Sequence, residues 1–239
     1  MKENNNSKMG LRDGIPICVG YFSVSFAFGI FSTGAGLSVL ESVMISLFNL
    51  TSAGQLAAVP IIAQGGSFLE LALTQFIINL RYALMSVSLS QKLGESVRLR
   101  DRFWIAFVNT DEVFAVASAQ QGTVGKRYMA ALVATPPIGW TLGTLVGAVA
   151  GNILPSLVVS ALGIAIYAMF IAIVVPNACE DRKTAFCALL SVALSCLFYF
   201  TPVLNSIPSG FVIIICAVVA GAVFAALFPI ADEEEGENV

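Results

Sequence analysis

Asn79-Leu80-Arg81-Tyr82-Ala83-Leu84-Met85-Ser86 lies in the middle of an apolar run that extends from about Phe68 to Leu89. Arg81 keeps its charge under all ordinary conditions. At bilayer depth a guanidinium costs at least ~2.5–3.5 kcal/mol on insertion scales. Arg81 must therefore face protein, water or a partner charge, and a carboxylate is the obvious partner. The best candidates are Asp111 and Glu112, inside a second apolar run that starts at Phe103. The chain reads as a scaffold that brings two polar islands together inside a membrane.

Composition requires the membrane. Of 239 residues, 57% are hydrophobic and 11% charged, and the mean hydropathy is +0.87. Soluble domains carry about 25% charged residues. A transmembrane barrel needs segments of ~10 residues with alternating polarity. This chain has continuous apolar runs of about twenty, the length of a spanning helix. The expected fold class is an all-α integral membrane protein, a polytopic helical bundle.

Charge is segregated. The stretch Asp232-Glu233-Glu234-Glu235-Gly236-Glu237 holds five of the fifteen acids. It reads as a solvated tail over 231–239 and argues against nucleic acid as a partner. Polar, basic residues 1–12 read as a cytoplasmic tail, and 13–230 as one transmembrane domain. Cys18, Cys179, Cys187, Cys196 and Cys216 have no paired spacing, so neither a disulfide framework nor a zinc site is expected. The chain has no histidine, which removes imidazole relays. No phosphate-binding loop, nucleophile elbow or metalloprotease motif occurs. Neither an enzyme activity, a metal nor a cofactor is expected.

Eight apolar runs can be traced: from Gly14, Val39, Phe68, Phe103, Tyr128, Leu157, Thr184 and Phe211. Asn49-Leu50-Thr51-Ser52-Ala53-Gly54-Gln55 interrupts the second, and Asn109 to Glu112 the fourth. Apart from Arg81, the cations fall in four places: the N-terminal tail, 92–102, 126–127 and 182–183. Eight crossings would leave the 92–102 cluster outside, against the positive-inside rule. Re-entry of Val39–Gln64 and Phe103–Gln121 places every cluster and both termini in the cytoplasm. Irregular backbone at membrane depth is tolerated where it lines a cavity or is buried in protein. The expectation is six full spans plus two broken or re-entrant segments, with eight ordinary spans as the alternative.

Several positions stand out. Asn79, Arg81, Thr110, Asp111 and Glu112 form a candidate substrate or coupling site. Arg81 offers an anion site; Asp111 or Glu112 offers a place for an ammonium group or a coupling proton. Ser52, Gly54 and Gln55 read as an unwound segment touching the ligand or as a kinked helix. Gly139, Gly143, Gly147 and Gly151 strip one helix face and permit close approach of another helix, in this chain or in a second subunit. Glu41 and Glu70 read as solvated ends of their runs.

Taken together these motifs resemble the AzlC family, the large subunits of bacterial branched-chain amino acid exporters. Arg12-Asp13-Gly14-Ile15-Pro16 with Gly20-Tyr21 matches its opening, and Ser52-Ala53-Gly54-Gln55 is similar to its G-A-S-Q-like segment. Asn79 to Ser86 looks like N-x-R-[HY]-x-L-x-S, with Tyr82 where histidine is frequent. Thr110-Asp111-Glu112-Val113-Phe114-Ala115 resembles T-D-E-x-[FY]-A, and Gly139-Trp140 with Gly143 to Gly151 matches a W-x-x-G-x-x-x-G helix. The resemblance runs from about Arg12 to Phe228. It implies amino acid transport, usually export, with a small AzlD-type membrane subunit as partner. The expected function is export of branched-chain or other hydrophobic amino acids across the cell membrane, with protons as a candidate coupling ion. A non-transporting membrane anchor or regulatory subunit is the alternative.

Overall fold

The computed structural model describes residues 4–151, 153–155, 157–158, 168, 171, 174–176 and 178–228. The helix expected from Leu157 to Val175 falls mostly outside the described residues, and the acidic tail wholly so. Two compact units divide the chain, Met1–Met169 and Phe170–Val239. The first holds α1 (Ser7–Gly34), α2 (Val39–Phe48), α3 (Ser52–Ala63), α4 (Phe68–Lys92), α5 (Leu99–Phe107), α6 (Asp111–Ser118), α7 (Lys126–Ala134) and α8 (Pro136–Gly151). The second holds α9 (Arg182–Phe200), a 3-10 turn (Leu204–Ser206) and α10 (Ser209–Leu227). The described residues contain no strand, only isolated bridges. The protein is an all-α polytopic membrane protein. Among the described residues, five stretches are long and apolar enough to cross a bilayer: α1, α4, α7 with α8, α9 and α10.

The expected N-terminal tail is largely structured. Asn6 caps α1 by accepting from the N–H groups of Lys8 and Met9, so the helix starts at Ser7 and takes in Lys8, Arg12 and Asp13. Their charges conceal the start of the helix, because charged residues ahead of an apolar run read as a solvated tail.

α1 and the α7–α8 rod run side by side in the same direction, and glycine decides how closely. An added Cβ at Gly139 would fall on the Cys18 carbonyl, at Gly143 on Ser25 and the Phe22 carbonyl, and at Gly147 on the Phe26 carbonyl. From the other side, one at Gly10 would strike the Tyr128 carbonyl and one at Gly29 the Thr144 carbonyl. The partner of the glycine stripe is thus α1 of the same chain.

Three remote segments are tied together at one end of this rod. The Asn4 N–H donates to the Thr123 carbonyl at 2.8 Å, and the Gly125 N–H donates to the Asn4 carbonyl at 2.7 Å. The Val124 N–H donates to the Lys92 carbonyl at 2.9 Å, and the Gly94 N–H donates back to Val124 at 2.8 Å. Residue 4, residues 92–94 and residues 123–125 therefore share one face of the unit. Lys8, Lys92, Arg98, Lys126 and Arg127 cluster about this face.

Topology follows. α1 leaves this face and ends on the opposite one, and α4 returns from the opposite face to this one. The α2–α3 segment between them begins and ends on the opposite face. The α5–α6 segment begins after residue 94 and ends before residue 124, so it begins and ends on the cation-rich face. α2 has 10 residues and α5 has 9. At 1.5 Å per residue each reaches about 14 Å, half of a ~30 Å hydrocarbon core. Each segment turns back to the face it left, and the two breaks meet around one cavity.

The second unit is simpler. Asp181 caps α9, accepting from the Thr184 hydroxyl at 2.7 Å and from the N–H groups of Thr184 and Lys183. The Thr184 hydroxyl, then these N–H groups, hold its carboxyl below the usual range. Within the unit, Phe186 meets Phe228 edge to face at 6.1 Å.

Candidate functional site

Thr51 and Thr110 fix the two breaks. Each is an N-cap whose hydroxyl oxygen accepts a backbone N–H of the helix that follows, from Gly54 and from Val113. Asn49 to Thr51 is therefore the whole of the first break, and Val108 to Thr110 of the second. Ser52, Gly54 and Gln55 lie in the first turns of α3 and not in unwound backbone. Gly54 is there for closeness: a Cβ would come within 2.6 Å of Gln75 Oε1 and 2.7 Å of Thr51 Cγ2. Gln55 is fully buried, and its amide donates to Ser46 Oγ at 3.0 Å and the Asn49 carbonyl at 2.8 Å. It braces the break across which it sits.

Asp111 and Glu112 occupy the first turn of α6, where the exposed N–H groups favour negative charge. Across from them stands Arg81, near the middle of α4. Its Nη1 lies 2.9 Å from Asp111 Oδ2, and both side chains are about half exposed, 50% and 48%. Nη2 donates to the Tyr82 hydroxyl at 3.1 Å, and the guanidinium lies over the Tyr82 ring, 4.8 Å from its centre. The two polar islands of the sequence do meet.

Glu112 turns to a different partner. The Tyr21 hydroxyl donates to Glu112 Oε2, and the Tyr21 ring stands edge-on to Trp140 at 5.0 Å. α1 and α8 thus reach the site through two aromatic residues that spacing alone does not single out. Tyr21 left a faint signal: the chain has five tyrosines against seventeen phenylalanines, and a hydroxyl at membrane depth needs a partner.

Next to the ion pair is a string of amides. Gln75 Nε2 donates to the Gly54 carbonyl at 2.8 Å, so Gln75 Oε1 is the acceptor end. Asn49 Nδ2 and Asn79 Nδ2 donate to that oxygen at 3.1 and 3.3 Å. Asn109 Nδ2 donates to Ser86 Oγ at 3.0 Å. Gln75 also escapes a sequence reading, although it lies one turn before Asn79 on the same face of α4. A cavity of about 130 Å³ lies between the breaks, lined among others by Asn49, Thr51, Asn79, Tyr82, Asn109 and Thr110.

A larger cleft, about 400 Å³, runs between α5 and the α7–α8 rod. Its walls are Trp104, Phe107, Val133 and Pro137, and its two charges, Asp101 and Lys126, pair with each other at 2.8 Å. Volume therefore does not mark the polar site. Glu70 departs from expectation: it is 4% exposed, in the first turn of α4, and not at a solvated end. The tight Ser67 cap and the close approach of Gly66 enclose it. Among the described residues no cluster of three His, Cys, Asp or Glu side chains could hold a metal ion.

A family model described as "AzlC protein" matches residues 16–154. The inner membrane protein YgaZ of Escherichia coli (strain K12) is 32% identical over 186 residues, 74% of this chain and 75% of that protein. A protein of Archaeoglobus fulgidus described as a membrane protein is 33% identical over 172 residues, 71% of this chain and 75% of its own length. No solved structure matches.

Proposed function

The chain belongs to the AzlC family, and we propose that it is the large subunit of a two-component secondary transporter that exports hydrophobic, above all branched-chain, amino acids. The observation that carries this reading is the Arg81–Asp111 pair, placed near mid-length of α4 where two broken helices converge. Broken helices at the midplane are the usual makings of a transporter site.

A zwitterion needs both charges met at once. Arg81 receives the substrate carboxylate while Asp111 turns to its ammonium group, so an internal pair becomes two external ones. No charge is left alone at membrane depth during this exchange, which matters because an unpaired ion there is costly. Glu112, held by Tyr21, takes the ammonium group or the coupling proton. The cation-rich face is cytoplasmic by the positive-inside rule. The AzlD-type small subunit, the proton as coupling ion and the plasma membrane belong to the same proposal.

The test is efflux of radiolabelled leucine from loaded cells or vesicles that carry the chain and its small partner, with and without a protonophore. Efflux should fall to background in Arg81→Ala and Asp111→Asn. Efflux at the parent rate in both variants would remove the site assignment.

A further inference from the structure

We propose that the cleft between α5 and the α7–α8 rod is a binding site for one anionic phospholipid, with an acyl chain in the cleft and the phosphate at its basic mouth. The inference goes beyond the amino acid reading, because the ligand is a lipid and the cleft does not include the Arg81–Asp111 pair.

Polarity along the cleft runs one way. Its charged residues, Asp101 and Lys126, stand in the first turns of α5 and α7, at the cation-rich face. The rest of its lining is apolar and ends at Val108 on one wall and Pro137 on the other. From Lys126 to Pro137 the rod rises about 16 Å, near half of a ~30 Å hydrocarbon core and so the depth of one leaflet. Charge at one end and an apolar slot as deep as a leaflet is the pattern of a phospholipid. The slot exists because Ala130 and Ala134 offer only methyl groups opposite Trp104 and Phe107. All four residues are exposed, so the cleft is open along its length. Its volume, about 400 Å³, is that of a small-ligand pocket. It admits a hydrocarbon chain and is too small to seat a helix about 10 Å across.

The mouth supplies the charge that a phosphate needs. Residues 92–102 and 126–127 carry six Lys and Arg against two acids, Glu95 and Asp101. Lys126 and Arg100 both act on the Asp101 carboxylate. Asp101 thus gathers two cations at the mouth and neutralises one. The Lys126 side chain is 42% exposed and Arg100 is exposed as well, so both keep donors for a further anion. Basic pockets between helices at a membrane surface suit anionic headgroups. Trp104 stands one turn below Arg100 and is 72% exposed, as an indole at the membrane interface is.

The chain has two tryptophans, and they make the test direct. Trp104 lines the cleft, while Trp140 is 3% exposed and serves as a shielded reference. The purified full chain is reconstituted in phosphatidylcholine vesicles. Phosphatidylglycerol or phosphatidylcholine with brominated acyl chains then replaces part of the lipid, and tryptophan fluorescence is read. Brominated phosphatidylglycerol should quench at about tenfold lower mole fraction than brominated phosphatidylcholine, since each cation beside an anionic headgroup adds about fivefold in affinity. Trp104→Phe should remove the quenching. The preference should be lost when Arg100→Gln and Lys126→Gln are combined. It should be lost equally in Ala134→Phe, which fills the cleft from an exposed position and leaves every charge in place. In Asp101→Asn it should persist or grow, because the competing carboxylate is gone. Equal quenching by the two lipids in the parent, or a preference that survives Ala134→Phe or the paired Gln variant, overturns the proposal. Protection of Trp104 from both lipids on addition of the small subunit makes the cleft a protein seat and overturns it too. Efflux is no part of the readout, so the transport reading stands or falls separately.

Discussion

At the scale of single residues, Arg81 is the position whose surroundings are most demanding. Its charge is held by Asp111, by the Tyr82 hydroxyl and by the Tyr82 ring. Arg81→Lys keeps the charge but loses the planar fork that reaches Asp111 and Tyr82 together. We expect leucine efflux to fall at least tenfold in Arg81→Lys at unchanged expression, measured in the same vesicles as the parent. Tyr21→Phe removes one donor from Glu112 and leaves the ring against Trp140. Stability should drop by about 1.5–3 kcal/mol, the net worth of a hydrogen bond to a charged group, read as a shift of the denaturation midpoint. Asp111 and Arg81 were legible as partners because an intramembrane charge demands one. Tyr21, Trp140 and Gln75 were not, because an aromatic or an amide in an apolar run has several ways to be satisfied.

At the scale of elements, two features control the site, the caps and the glycine face. Thr51 and Thr110 start α3 and α6 at the level of Arg81. Thr51→Ala and Thr110→Ala should each cost about 0.5–2 kcal/mol. Thr51→Ser, which keeps the hydroxyl, should recover most of that in the same denaturation measurement. On α8 the Cβ positions of Gly143 and Gly147 are already filled by the α1 backbone. Gly147→Leu should therefore abolish a monodisperse fold, seen as loss of the symmetric peak in size-exclusion chromatography. A change at Gly20, whose added Cβ would meet nothing within 4 Å, should leave the peak intact. Overpacking typically costs about 1–3 kcal/mol, and more where the obstacle is backbone that cannot give way. The four-residue glycine spacing announced a close helix contact. Whether the partner was α1 or a second subunit depended on contacts more than a hundred residues apart in sequence.

At the scale of the whole molecule, the direction of each segment decides which loops share a side. Re-entry of both broken segments puts Gln64 and Glu95 on opposite faces, with Glu95 on the cation-rich one. Eight crossings would exchange them. Single cysteines at Gln64 and Glu95, in a background with the native cysteines replaced by serine, distinguish the two with a membrane-impermeant maleimide. Gln64→Cys should be labelled from outside intact cells, and Glu95→Cys only in inside-out vesicles. The sequence by itself determined that the chain is a helical membrane protein, where the apolar runs lie, which two of them are interrupted and which charges must find each other. Hydrophobicity and charge act locally, and a chain cannot hide them. Only the tertiary structure decided that the interrupted runs turn back, and that the glycine face meets α1. Those outcomes rest on hydrogen bonds and steric contacts between remote residues, such as Asn4 with Thr123 and Lys92 with Val124. A one-dimensional pattern carries the groups that make such contacts but not their pairing.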